Sequence, residues 1–432
     1  MANEALERAR AGYEAVERRY VEALQAKGLR FQSRAEGLAS QKRCADLRRH
    51  LADAGAAVRN AGASLVCGYL SPACVECTGA DGSETISTTF KCHRDCYFCF
   101  NHNVADYDRF FHEGCPWEDE LERAAAERQQ LACVGLTGGE PLLDFENAIR
   151  FFERARELFP EAHLRMYTSG DLLTEERVVR LRDAGLDEIR FSVKDDDTPE
   201  MQQRVLDAMR LAKRYLPSVM AEMPVIPGAG EHMRNLLRAF DDVGLDGINL
   251  LEFCFPFCNW PEFERRGFSL KNPPFDVMYD YGYSGGLAVA GSEELILELM
   301  LWAREEGLRL GLHYCSLDNK HRSEIRQKNE RAKDVHPCLV FDDQDFFLKA
   351  VKVFGPDVEP VRTALREAGC TDMIEDAAEG SLAFSPEHLG ALRGVVRADG
   401  APVEPQLCPF VYELDGDDAY LTDVSLCPAP VR

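Results

Sequence analysis

No run of about 18 consecutive apolar residues, the length a membrane-spanning helix needs, occurs in this chain of 432 residues. A transmembrane helix is therefore not expected. Positive charge is scarce: 50 Lys and Arg stand against 74 Asp and Glu, a formal net charge of −24. Such a surface repels phosphate backbones and anionic lipid, so no nucleic-acid partner and no membrane partner are expected. The charge favours solubility and names no substrate. Low-complexity tracts and long internal repeats are absent. The opening Met1-Ala2-Asn3-Glu4 lacks the apolar stretch of a secretory leader, so a cytoplasmic location is expected. In that compartment 16 Cys point to metal or redox cofactors rather than to a disulfide framework.

What is present suffices for a large core. Hydrophobic residues make up 45%, and the length allows two or three domains, or one large barrel with additions. Residues 1–64 read as a helical hairpin packed on the main domain: Ala9, Tyr13, Val16, Tyr20 and Leu24 recur at helical spacing, as do Cys44, Leu47, Leu51, Ala54 and Val58. Residues 65–83 form a Cys-rich segment. From residue 84 to 335, strand-like runs (85–90, 132–137, 163–168, 188–193, 218–223, 247–252) alternate with helical patterns (119–130, 143–158, 173–184, 199–214, 231–243). Thr198-Pro199 is a helix start, Ser292 is read as the cap of a helix over 293–306, and Leu308–Tyr314 reads as a further strand. Strand–helix alternation implies a parallel sheet with helical crossovers. The aromatic, Pro- and Gly-rich stretch 253–291 reads as a lid-like insertion. Residues 336–432 read as a small α+β domain with a hairpin turned at Asp415-Gly416-Asp417-Asp418.

Cys92, Cys96 and Cys99 are spaced C-x3-C-x2-C within Lys91–Asn101. Thiolates this close can hold three irons of a [4Fe-4S] cube and leave the fourth iron free for another ligand. Pairs of this spacing also suit tetrahedral zinc, and the cysteines alone leave both readings open. In a parallel barrel, reactive residues gather where strands end. Cys92 follows the first strand candidate, Gly138-Gly139-Glu140-Pro141 the second, Thr168-Ser169-Gly170 the third and Ser192-Val193-Lys194 the fourth.

The cysteine run, followed one βα unit later by Gly-Gly-Glu-Pro, resembles the radical S-adenosylmethionine (radical SAM) superfamily over roughly residues 84–255. The resemblance implies an α/β fold built on a partial (β/α)6 TIM-like barrel, here with an N-terminal helical extension and a small α+β C-terminal domain. It implies a [4Fe-4S] cluster on Cys92, Cys96 and Cys99, and S-adenosyl-L-methionine on its open iron. Gly138, Gly139 and Glu140 correspond to the motif that holds the amino group of S-adenosylmethionine. Phe98 corresponds to the aromatic position beside adenine, and Val225 and Ile226 to its apolar contact. Ser169 stands where the family carries Asn, Ser192 fits the polar position facing ribose or carboxylate, and Lys194 stands where many relatives carry Asp. The implied activity is reductive cleavage of S-adenosylmethionine and hydrogen abstraction from an unidentified substrate, a peptide or a small metabolite, with flavodoxin or ferredoxin as electron donor. The alternative is a non-catalytic zinc or iron–sulfur module, a scaffold or an electron carrier.

Cys67, Cys74 and Cys77 form a C-x6-C-x2-C set. An auxiliary site on these three, a second iron–sulfur cluster or zinc, is one reading, with Cys315, Cys338, Cys408 and Cys427 as distant partners. Free buried thiols are the other. Cys254 and Cys258 fall at the sixth strand end, and His313–His321 is read as a polar loop. His93, Arg94, Asp95 and Tyr97 lie inside the cysteine run, with His93 expected in solvent.

Overall fold

The computed structural model describes residues 3–77, 82–127, 130–194, 197–275, 286–415 and 418–431. Residues 276–285 of the expected lid, and Gly416 and Asp417 of the expected hairpin turn, lie outside that set. The chain divides into two units. One comprises Leu29–Pro274 and Ser284–Lys320. The other comprises Met1–Gly28, Phe275–Tyr283 and His321–Arg432.

Two helices come first, α1 (Glu4–Ala26) and α2 (Arg34–Asp53). The division runs between them, so the two helices of the expected hairpin belong to different units. Asn3 caps α1 and donates from Nδ2 to Phe354 O at 3.0 Å and Asp357 Oδ2 at 3.1 Å, which ties the helix to the C-terminal unit. Ser33 and Glu36 close a capping box on α2, in the barrel unit. Residues past α2 are not helical either: β1 (Ala57–Arg59) and β2 (Ser64–Cys67) pair antiparallel. The short helix α3 (Pro72–Glu76) follows.

The six expected strands are β3 (Ser83–Ser87), β4 (Cys133–Thr137), β5 (His163–Thr168), β6 (Glu188–Phe191), β7 (Ser218–Val225) and β8 (Gly247–Glu252). After β3 come α4 (Tyr107–Glu113) and α5 (Trp117–Glu127). The crossovers that follow are α6 (Phe145–Leu158), α7 (Glu175–Asp183), α8 (Pro199–Ala212) and α9 (Gly230–Val243). Thr198 caps α8 by accepting from Met201 N, with Pro199 in the first turn as the sequence indicates. The insertion carries a two-stranded pair, β9 (Cys254–Phe255) with β10 (Leu287–Ala288), and helix α10 (Trp260–Arg265). Then come α11 (Ser292–Glu305), β11 (Gly311–Cys315) and α12 (Leu317–Arg331).

The sheet order is β1-β2-β11-β8-β7-β6-β5-β4-β3. Pairing is parallel from β3 through β8 to β11 and antiparallel where β2 meets β11. The strand expected over 308–314 is β11, which makes a seventh parallel strand of the partial barrel, and the β1–β2 ribbon extends its edge. Outward residues of the strands are apolar and buried under the helices: Val134, Leu136, Leu164, Met166, Ile189, Phe191, Val219, Ile248, Leu250 and Leu312 share one core. Helix α2 lies on α11, where Arg48 pairs with Glu293 at 2.7 Å.

The C-terminal unit is an antiparallel sheet. Its strands are β12 (Val340–Phe341), β13 (Leu348–Phe354), β14 (Met373–Asp376), β15 (Ser381–Phe384), β16 (Gln406–Asp415), β17 (Asp418–Asp423) and β18 (Cys427–Pro428), and α13 (Val358–Glu367) packs on it. The unit boundary falls at Lys320/His321, inside α12, not at the expected 335/336. Among the described residues no helix is long and apolar enough to cross a membrane.

Ser292 corrects one expectation. It is the first helical residue of α11, and Gly291 precedes it in the left-handed region at φ 87°. Its buried hydroxyl accepts from Phe253 N and donates to Val225 O, both at 2.8 Å, joining the ends of β7 and β8. Ser292→Ala strands both backbone groups, and a loss of about 1–3 kcal/mol is expected. A lower urea midpoint for the barrel unit, with unchanged slope, is the measurement that checks it.

Candidate functional site

The strand ends meet as the motif spacing indicates. Past β3 the chain turns into the cysteine loop, and the end of β4 runs against it. Gly139 N donates to Thr89 O at 2.8 Å and Glu140 N to Lys91 O at 2.7 Å. A methyl on Gly138, whose φ is 104°, would sit 2.6 Å from Thr89 O, and one on Gly139 would overlap the Lys91 carbonyl. These glycines are required by the loop itself. Asn101 Nδ2 closes the seam by donating to Gly138 O at 2.7 Å.

Glu140 is 1% exposed. Its Oε1 accepts from Thr168 Oγ1 (2.7 Å) and Leu142 N (3.1 Å), and its Oε2 from Ser169 N (2.7 Å). Ser169 Oγ stands 2.6 Å from Glu140 Oε2 and 2.7 Å from Asp171 Oδ1, and its one proton serves a single carboxylate at a time. Glu140 thus binds the end of β5 to the end of β4.

Charges inside the cysteine loop are anchored too. His93 is exposed, as expected, and its Nε2 lies 2.9 Å from Asp171 Oδ2. Arg94 bridges Asp171 at 3.3 Å and Asp197 at 2.5 Å, and Asp197 Oδ2 accepts from Lys194 N at 3.1 Å. Asp171 is held below the usual carboxylate range: burial pushes its pKa up, but hydrogen bonds from Ser169 and His93 and the Arg94 charge outweigh it. Lys194 Nζ donates to Ser192 Oγ at 2.7 Å.

Cys92, Cys96, Cys99, Gly138, Gly139, Glu140, Ser169, Ser192 and Lys194 all line one cavity of about 440 Å³. Phe98 does not. It turns behind the loop, edge-on to Phe253 at 5.6 Å, and shares a small apolar recess with Ile226, Val193 and Met223. Val225 points outward into the core. Cys258 reaches the loop from the insertion, its Sγ 3.8 Å from Cys99 O, whereas Cys254 is buried against Ala288 and Leu317.

The three loop thiols suit an iron–sulfur cube. All are half-buried on the cavity wall, and Cys92 Sγ accepts from Arg94 N at 3.4 Å, the kind of amide–sulfur contact that tunes such clusters. Burial raises the pKa of Cys92 and Cys99, so metal binding must release their protons.

Several cavity residues were not found from sequence. Tyr167, Arg190 and Glu222 line it, and they sit on inward positions of β5, β6 and β7. Arg190 bonds Glu188 Oε1 and Glu222 Oε2 at 2.6 Å and Ser71 Oγ at 2.9 Å. Asn249 Nδ2 also reaches Glu222 Oε2 at 2.6 Å, and His313 Nδ1 faces Asn249 Oδ1 at 2.9 Å. His313 is therefore a buried strand residue, as the strand over 308–314 implies, and the expected polar loop up to His321 is mostly helix α12. The signal was available: parallel strands buried on both faces read as continuous apolar runs, and charges at every second position break that rule.

The expected auxiliary set does not assemble. Cys67 faces outward into the apolar core beneath the helices. Cys74 faces the opposite way, toward Asn249 and Arg190. Cys338 and Cys408 are buried within the C-terminal sheet.

Residues 86–240 match the family model described as the Radical SAM superfamily. Over 294 residues the chain is 28% identical to a putative glycyl-radical enzyme activating enzyme of Methanocaldococcus jannaschii, a match spanning 66% of this chain and 74% of that protein. Over 185 residues it is 25% identical to an uncharacterized protein of the same organism, spanning 39% of this chain and 59% of that protein. Among solved structures, coproporphyrinogen III oxidase from Escherichia coli, a radical SAM enzyme, aligns over 55% of this chain and 57% of its own at 14% identity and a TM-score of 0.35.

Gly139→Ala should displace the cysteine loop, because the clash is with backbone. Iron bound after anaerobic reconstitution should fall at least several-fold. Gly12→Ala, in open space on α1, should leave iron content unchanged and the protein up to about 1 kcal/mol more stable.

Proposed function

This chain carries a radical SAM domain over residues 86–240, and we propose that it cleaves S-adenosylmethionine reductively at a [4Fe-4S] cluster held by Cys92, Cys96 and Cys99, then removes a hydrogen atom from a substrate. The observation that carries this reading is the single cavity lined by the three thiols together with Gly138–Glu140, Ser169, Ser192 and Lys194. When bound, the cluster supplies the electron that releases a 5′-deoxyadenosyl radical from S-adenosylmethionine.

The chain's own residues bind and orient. Lys194 offers its ammonium to the carboxylate of S-adenosylmethionine, a charge-assisted contact. Ser169 and Asp171 present acceptors for its amino group at the end of β5. Glu140 is a positioning residue: its carboxylate already accepts from Thr168, Leu142 and Ser169, and it holds those groups in place. Phe98 and Ile226 pack behind the loop in a recess too small for adenine, and support the loop from that side. The polar floor of Tyr167, Arg190 and Glu222 faces the substrate. The name of the M. jannaschii relative supports a protein as substrate, and a flavodoxin or ferredoxin as electron donor accords with the chemistry.

Protein reconstituted without oxygen and given dithionite should convert S-adenosylmethionine to 5′-deoxyadenosine, read by mass spectrometry. Cys92→Ala should abolish product. Lys194→Met should weaken S-adenosylmethionine binding about tenfold or more, the worth of one charge-assisted hydrogen bond. Colourless protein containing only zinc, or brown protein that never yields 5′-deoxyadenosine, would overturn the reading.

A further inference from the structure

Three further thiols lie in the barrel unit away from the cysteine loop, Cys74 buried, Cys315 half-buried and Cys77 exposed. Helix α3 enters the lumen, where Cys74 Sγ accepts from Asn249 Nδ2 at 3.2 Å and Arg190 Nη2 at 3.4 Å. Cys77 ends α3 with helical angles, φ −62° and ψ −15°, so it shares one face of a single turn with Cys74. Cys315 ends β11 two residues beyond His313, on the same inward face. His313 is bonded to Asn249, the residue that also contacts Cys74. Asn319 Nδ2 donates to Cys315 Sγ at 3.5 Å. Cys77 and Cys74 are among the groups whose charge acts on Cys315.

One buried cation lies in this lumen without a carboxylate partner. Arg165 is 4% exposed; its Nη2 donates to Thr85 Oγ1 at 3.2 Å, its Cζ lies 5.8 Å from the Tyr167 ring, and among the described residues its Nε and Nη1 have no acceptor. A buried guanidinium left this way is costly, and metal-bound thiolates supply the missing negative charge. Among the described residues no three His, Cys, Asp or Glu side chains converge as one ion requires. That holds equally for Cys92, Cys96 and Cys99.

We propose that Cys74, Cys77 and Cys315 ligate a second iron–sulfur cluster in the barrel lumen, next to the Arg190–Glu222 pair that floors the cavity. Cys67 takes no part. Each thiol gives up its proton as its Fe–S bond forms, with iron and sulfide supplied at assembly. The inference is independent of the reaction proposed above, since it concerns iron that remains when the loop cluster is gone.

The test begins with anaerobically reconstituted full-length protein. Iron and sulfide should exceed the roughly four of each that one cube holds. The Cys92→Ala/Cys96→Ala/Cys99→Ala variant should lose 5′-deoxyadenosine formation yet stay brown, with a Mössbauer signal for the remaining cluster. Adding Cys315→Ala should remove that iron, whereas adding Cys67→Ala should not. Circular dichroism confirms that each variant is folded. Wild-type protein holding a single cube's iron, a triple variant with no iron or with zinc alone, or residual iron unaffected by Cys315→Ala would each overturn the proposal. Wild-type stoichiometry decides the matter even if a variant fails to fold.

Discussion

Everything at the candidate site hangs on a backbone seam in which two carbonyls of the cysteine loop, Thr89 O and Lys91 O, accept from the amides of Gly139 and Glu140. The seam leaves no room for a β-carbon at either glycine. From it the order spreads by hydrogen bonds. Glu140 fixes Thr168 and Ser169, Ser169 meets Asp171, Asp171 holds His93 and Arg94, and Arg94 reaches Asp197 beside Lys194. The ends of β4, β5 and β6 and the loop after β3 are thereby joined in one ring. A loop fixed from so many sides holds three thiols in place before any iron arrives, which lowers the ordering cost of binding.

The barrel has an unusual division of labour between its faces. Outward strand residues are apolar and lie beneath the helices, so hydrophobic burial stabilises the unit from outside. The inward face is polar and charged, with Glu188, Arg190, Glu222, Asn249 and His313 bonded to one another. Arg190 holds Glu188 well below the usual carboxylate range against the upward push of burial, and burial itself lowers His313 to about 4. Ion pairs of this kind gain little net stability, yet losing one partner costs several kcal/mol. A lumen built this way suits polar ligands better than an apolar plug would.

Much of this was legible in the residues. Alternating apolar runs and helix-period segments located six strands and five crossover helices, because burial imposes those periods locally. Thr198-Pro199 marked a helix start through capping chemistry that needs only neighbouring residues. Other features were not legible. The reach of Asn3 to Phe354 and Asp357 assigns α1 to the C-terminal unit, a contact more than 300 positions away in the chain. Ser292 looked like a cap and became a clamp, because its partners Phe253 and Val225 come from two other strand ends.

The sequence by itself determined the chemistry on offer: three closely spaced thiols, a Gly-Gly-Glu-Pro turn, and polar residues where strands stop. Those are properties of short segments, set by bond geometry and local periodicity. Only the tertiary structure decided which groups meet. It separated Cys67, on a strand position facing the helices, from Cys74, on a helix inside the lumen, turned Glu140 inward, and brought Cys315 to the same lumen as Cys74 through Asn249 and His313. Side-chain direction and strand order are set by packing across the whole sheet, and no local pattern encodes them.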